Sequence, residues 1–132
     1  MANEAQLRHF ISNPIDFTVA DGAGIEKGTV CKLSDPRTAA ASSAADVFAG
    51  IAAVEKVASD GSTRLSCYVS GIFDMTCNAN AGVTAGGMVS LSGANLIKQA
   101  TEAEMVTGAA FGKALETASA SEVVQVLLGL AV

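Results

Sequence analysis

The chain has 132 residues and a formal net charge of −5, and half of it is apolar, yet it has five phenylalanines, one tyrosine and no tryptophan. Such a chain is large enough for one domain but builds a thin, close-packed core, which argues against a large ligand-enclosing cavity. Its eight basic residues are scattered, with no basic run to displace counterions from phosphates, which argues against a nucleic-acid partner.

Residues 1–16 carry neither a repeat nor a strong period and read as an N-terminal arm. They lack the apolar core of a secretory signal, so synthesis in a reducing cytoplasm is the expectation. Leu7, Phe10 and Ile11 are apolar anchors at near-helical spacing, Arg8 and His9 are donors, and Asn13-Pro14 punctuates the exit. A terminal segment this short orders only against a partner.

The remainder, 17–132, reads as a single β domain. Phe17-Thr18-Val19 predicts a first strand, ended by the glycine-containing turn at 20–24. Residues 30–33 are the next, with Cys31 and Leu33 on an inward face. A short strand and loop is preferred over a helix for 39–41, since the matching stretch 95–98 reads as strand. Residues 47–57 predict a strand bent at Gly50, and 105–115 a second bent at Gly108. Asp60-Gly61 signals a two-residue turn between extended segments. Residues 64–73 then alternate, with Leu65, Cys67 and Val69 on one face.

An internal repeat orders these pieces. The segment beginning Gly24-Ile25-Glu26-Lys27-Gly28-Thr29-Val30 returns as Gly82-Val83-Thr84-Ala85-Gly86-Gly87-Met88, at an offset of about 58 residues. Without gaps, that offset lays Gly50 on Gly108, Ala52 on Ala110 and Gly71 on Gly129. The fold predicted is all-β, a compact barrel or sandwich built from two pseudo-repeated units, about 17–74 and 75–132, that pack as one domain. The copy of the alternating strand, 122–131, is apolar on both faces, which predicts burial inside the domain and at a subunit contact. That run is too short to span a bilayer, so no membrane partner is expected.

Motif searches for chemistry give little. Residues 22–28 superficially match a dinucleotide fingerprint, but the last glycine is one residue late and no helix pattern follows. Residues 108–114 fall one residue short of a phosphate loop, and Ala114 cannot supply the magnesium-binding hydroxyl. One histidine, His9, cannot build a triad or a multi-histidine metal site, and Cys31, Cys67 and Cys77 lack metal-ligand spacing. No cofactor or metal is expected. Glu102 with Glu104, or Glu116 with Glu122, are the carboxylate pairs that a hydrolytic site would need, with a solvated rim as the plainer reading. Tyr68 is either a binding-surface anchor or a half-buried core tyrosine. Neither Lys56 nor Lys113 sits in the motif of a biotinyl or lipoyl carrier.

The succession Phe17-Thr18-Val19, Gly28-Thr29-Val30-Cys31-Lys32-Leu33-Ser34-Asp35-Pro36-Arg37, Phe48-Ala49-Gly50-Ile51-Ala52 and Gly71-Ile72-Phe73-Asp74, with Gly86-Gly87-Met88-Val89 and 108–115 in the second half, resembles tailed-bacteriophage capsid decoration proteins, also called head-stabilising or cement proteins. The resemblance implies a non-enzymatic virion protein, commonly trimeric, bound outside the mature shell at local three-fold positions. There it clamps neighbouring major capsid proteins against the pressure of packaged DNA. On this reading Leu7, Arg8, His9, Phe10 and Ile11 contact the capsid, and Val124, Val126 and Leu128 form the trimer contact. Cys77, beside the turn-like Asn78-Ala79-Asn80, is the thiol expected to be accessible and to form an intermolecular disulfide. The alternatives are a cytoplasmic β-barrel ligand-binding or carrier module, and an enzyme domain with a carboxylate pair.

Overall fold

The computed structural model describes residues 6 and 14–129. The alternating segments form β1 (Ile15–Thr18), β2 (Val30–Asp35), β3 (Thr38–Ala41), β4 (Phe48–Ala52) and β5 (Arg64–Tyr68). The second unit supplies β6 (Gly71–Cys77), β7 (Met88–Gly93), β8 (Leu96–Gln99), helix α1 (Glu102–Thr107), β9 (Gly112–Ala114) and β10 (Val123–Leu128). The fold is all-β and built from two repeated units, as the repeat predicts, and each unit closes its own five-stranded barrel. The order around the first is β1-β3-β2-β4-β5, and around the second β6-β8-β7-β9-β10. In each, the unit's first strand pairs parallel to its third and antiparallel to its last. Closure leaves no free sheet edge in either ring.

The correspondence between units is not gapless. Thr18 beside Thr38 matches Thr76 beside Leu96, an offset of 58. Cys31 opposite Gly50 matches Val89 opposite Gly112, so the fourth strands are offset by 62. Phe17 opposite Leu65 matches Met75 opposite Val124, so the fifth are offset by 59. Gly112, not Gly108, is therefore the counterpart of Gly50.

The shift comes from α1, which occupies part of the stretch expected to be a bent strand. Thr101 caps it, accepting from the Glu104 N–H at 3.2 Å while a Glu104 carboxylate oxygen accepts from the Thr101 N–H at 2.9 Å. Gly108 ends the helix at φ 86, a left-handed conformation open to glycine. Residues 64–73 are likewise two strands, not one. β5 stops at Tyr68, and β6 begins at Gly71, whose φ of 128 turns the chain into the second barrel. Asp60-Gly61 lies within a longer 53–63 connection and does not close a tight hairpin.

The barrels pack on each other. Val30 and Ile51 point out of the first barrel and join the apolar cluster of the second, with Phe48, Tyr68 and Phe73 packed against it. The Phe48 ring stacks on Phe111 at 4.9 Å, and Tyr68 meets Phe73 at 5.6 Å. Hydrogen bonds cross the junction as well: Val30 N–H donates to Asn95 Oδ1 at 2.9 Å, and Phe48 N–H donates to the Gly108 carbonyl at 3.2 Å. Tyr68 is thus a half-buried junction residue.

Candidate functional site

Three features stand out among the described residues. The first is a cleft of about 190 Å³ at the barrel junction, lined by Phe48, Ala49, Val69, Gly108, Phe111 and Gly129. Its walls carry no titratable side chain, so it offers shape and apolar surface but no acid, base or nucleophile.

The second is a pair of charge locks. Lys56, one of the scattered basic residues, is buried; its Nζ donates to Asp21 Oδ1 at 3.0 Å, Asp60 Oδ1 at 2.7 Å and two backbone carbonyls. Burial pushes the ammonium pKa down, but the hydrogen bonds to Asp60 and Asp21 outweigh it and carry the group above its ordinary value. The hydrogen bond from Lys56 holds the Asp60 carboxyl below the usual carboxylate range. In the second lock Lys98 Nζ donates to both Glu104 oxygens at 2.6 and 2.8 Å, and the buried Ser90 hydroxyl donates to Glu104 at 2.9 Å. Burial alone would raise the Glu104 carboxyl; the bonds from Lys98, Thr101 and Ser90 prevail and hold it at about 2. Both locks fix loops. Glu104 is occupied by the capping of α1, Glu122 accepts from the Ser119 N–H and Glu116 from the Gln125 N–H, so these acids serve backbone amides.

The third is apolar surface on the second unit. α1 has no buried residue and holds Met105 and Val106 outward, Val106 at 87% exposure. Ile72, Val123 and Leu127 lie on the outer face of β6 and β10 at 59, 62 and 42% exposure. A protein whose distinctive features are a stiff frame and exposed apolar patches is built for contact with other macromolecules.

The chain matches the family described as "Phage cement protein" over residues 11–130, which spans both barrels. The chain belongs to the phage cement protein family. Membership makes it a capsid-associated structural protein and a component of the virion. Among solved structures it is similar to the head fiber gp8.5 N base of bacteriophage phi29, at 14% identity, covering 87% of this chain and 93% of that one with a TM-score of 0.55. That likeness supports the shared fold. No curated protein matches.

For a cement protein the residues that matter are those presented to neighbours, and two expectations need correcting. Val124, Val126 and Leu128 are buried inside the second barrel, where they pack with Val89, Ile97 and Phe111, so they are not available to another subunit. The alternation along β10 turns Val123, Gln125 and Leu127 outward instead. Cys77 is 1% exposed at the end of β6, and burial raises its thiol pKa, so it is neither accessible nor activated for a disulfide. Cys31 and Cys67 are buried too; the Cys31 thiol donates to the Thr29 carbonyl at 3.5 Å, and the interaction between the two thiols lowers the pKa of Cys31 and raises that of Cys67. Leu7, Arg8, His9, Phe10 and Ile11 lie outside the described residues. Lys56 and α1 escaped the sequence reading, although Thr101 and Glu104, three residues apart, are a capping-box signature.

Proposed function

We propose that this cement protein binds the outer surface of the mature phage capsid at local three-fold positions, as a homotrimer, and clamps neighbouring major capsid proteins against the pressure of packaged DNA. The observation that carries this reading is the match to the cement family across both barrels. The closed rings and the aromatic junction between them support it, because a clamp must resist deformation between its points of attachment. Three weak contacts in one trimer act together, so release requires several to break at once. The arm supplies the capsid contact through Leu7, Arg8, His9, Phe10 and Ile11.

The test is co-sedimentation of purified protein with expanded capsids, using the full-length chain and a form lacking residues 2–12. The full-length chain is expected to pellet at a fixed ratio to the coat protein. The truncated form is expected to keep its thermal unfolding and lose attachment. Equal pelleting of the two would remove the arm from the contact, and no pelleting of the full-length chain would overturn the proposal.

A further inference from the structure

We infer that the outward face of β6, β9 and β10 is the surface by which this protein binds a second copy of itself. The inference rests on the homotrimer reading and names its contact.

Pairing places the side chains of this face in rows. Ile72 lies opposite Leu127, which lies opposite Lys113; Asp74 lies opposite Gln125. Leu115, whose N–H donates to the Gln125 carbonyl, extends that second row, and Val123 opposite Thr76 makes the third. Residues directly opposite each other in antiparallel strands project to the same side, so these form one face, on which the exposed apolar Ile72, Leu115, Val123 and Leu127 are interleaved with Asp74, Lys113, Gln125 and Thr76.

In the first barrel the positions of Asp74, Val123, Gln125 and Thr76 are all polar. Its Asp16 and Arg64 stand where Asp74 and Val123 stand, and they form an ion pair at 3.0 Å in solvent. Ser66 replaces Gln125, and Thr18 replaces Thr76. Of these four positions only Val123 is apolar where the first barrel is polar, and together with Ile72, Leu115 and Leu127 it makes an exposed apolar patch suited to a partner.

The occupant follows from the remaining row. In the first barrel the counterparts of Lys113 and Leu127 are Ile51 and Tyr68, and that row is covered by another barrel of this fold, the second barrel of the same chain. The equivalent row on the second barrel is uncovered. A barrel of the same strand order from another copy is the kind of body that covers this position within the chain. Charge agrees: Asp74 and Lys113 have opposite signs, and neither makes an ion pair among the described residues, so copies can pair one with the other.

Sedimentation of the free protein tests this without any capsid. The wild type is expected to self-associate at micromolar concentration. Ile72→Asp and Leu127→Asp are each expected to weaken association by about 100-fold or more while leaving the thermal unfolding of the dissociated monomer unchanged, because both side chains are exposed. Val106→Asp, on the separate α1 patch, is expected to associate as the wild type does. Should an apolar replacement impair folding, Asp74→Lys and Lys113→Asp decide the matter: each alone weakens association and the two together restore it. A monomeric wild type at about 100 µM, dissociation by Val106→Asp but not by Leu127→Asp, or no effect of either charge reversal would each overturn the inference. A wild type that is monomeric when free yet pellets with capsids would sink this inference and leave capsid binding standing.

Discussion

A β-carbon placed on Gly50 would lie 2.7 Å from the Cys67 β-carbon and 2.8 Å from the Tyr68 carbonyl oxygen. One placed on Gly112 would lie 2.7 Å from Val126 Cγ1 and 2.8 Å from the Leu127 carbonyl oxygen. Both barrels thus depend on the same bare backbone where the fourth strand crosses the fifth. The hairpin tips agree too: Arg37 and Asn95 have φ of 55 and 59°, and Ser59 and Ser121 of 58 and 66°. Side chains inside are freer. Each cysteine of one unit stands where the other has valine: Cys31 for Val89, Cys67 for Val126 and Cys77 for Val19, all buried. The comparison teaches that close backbone approaches fix this frame, while the interior asks for small apolar volume and is indifferent to sulfur.

The sharpest challenge to the equivalence is Gly50→Val beside Gly112→Val. Each forces atoms through a strand contact, and each is expected to cost about 3 kcal/mol or more in chemical denaturation. A cost under about 1 kcal/mol in one barrel alone would break the correspondence. Next in size comes Lys56, whose structural counterpart in the second unit is Ala118. Lys56→Met strands Asp21 and Asp60 side by side, and a lower melting temperature is expected; adding Asp21→Asn should recover part of it. Recovery absent from calorimetry would mean that the lysine acts by packing alone.

The Glu104 lock belongs to the second unit. Its folded-state pKa is depressed from 4.5 to about 2, so its stabilisation is present above pH 4.5 and is lost as the pH falls towards 2. The loss is on the order of 2 kcal/mol, and Glu104→Gln should flatten the acid limb of the stability profile. In the first unit Lys32 and Asp46 are 3.9 Å apart with about two-fifths of each side chain exposed, so Lys32→Ala should cost less than about 1 kcal/mol in chemical denaturation. The smallest effect is expected for the double replacement Cys31→Val and Cys67→Val, within about 1 kcal/mol of wild type. Alkylation followed by mass spectrometry should find all three thiols protected in the native protein, and rapid native labelling of Cys77 would contradict its burial.

The duplication, most strands and the inward placement of Cys31 and Cys67 were legible because they depend on glycines and on alternation, which survive in a single sequence. The contact residues were not, and the reason is a matter of register. An insertion at α1 moves the offset to 62, and a shorter loop before β10 brings it back to 59. An ungapped offset of 58 is therefore wrong by one residue in the last strand. One residue inverts a strand, so it sets Val123 beside Leu65 and sends Val124, Val126 and Leu128 outward. In a strand apolar on both sides, composition gives no warning. Cys77 was the opposite case, since the offset of 58 places it on Val19, already within a predicted strand, and the Asn-rich stretch after it outweighed that signal. Lys56 was illegible because its partners, Asp21 and Asp60, come together only when the 53–63 loop folds over the barrel end.

Each ring is completed by pairing its first strand with its last, Ile15 with Cys67 in one and Thr76 with Val123 in the other. On the ribosome the first ring can therefore close only after β5 has emerged, and the second only after β10. During that interval the outward side of the finished ring, with Phe48, Val30 and Ile51, waits uncovered for a partner still being translated. In a host making many copies at once, the second ring of a neighbouring chain has the same fit to that surface. Val69-Ser70 is all that separates β5 from β6, and this tether keeps the chain's own second ring at high local concentration. Its shortness favours docking within the chain over exchange between chains.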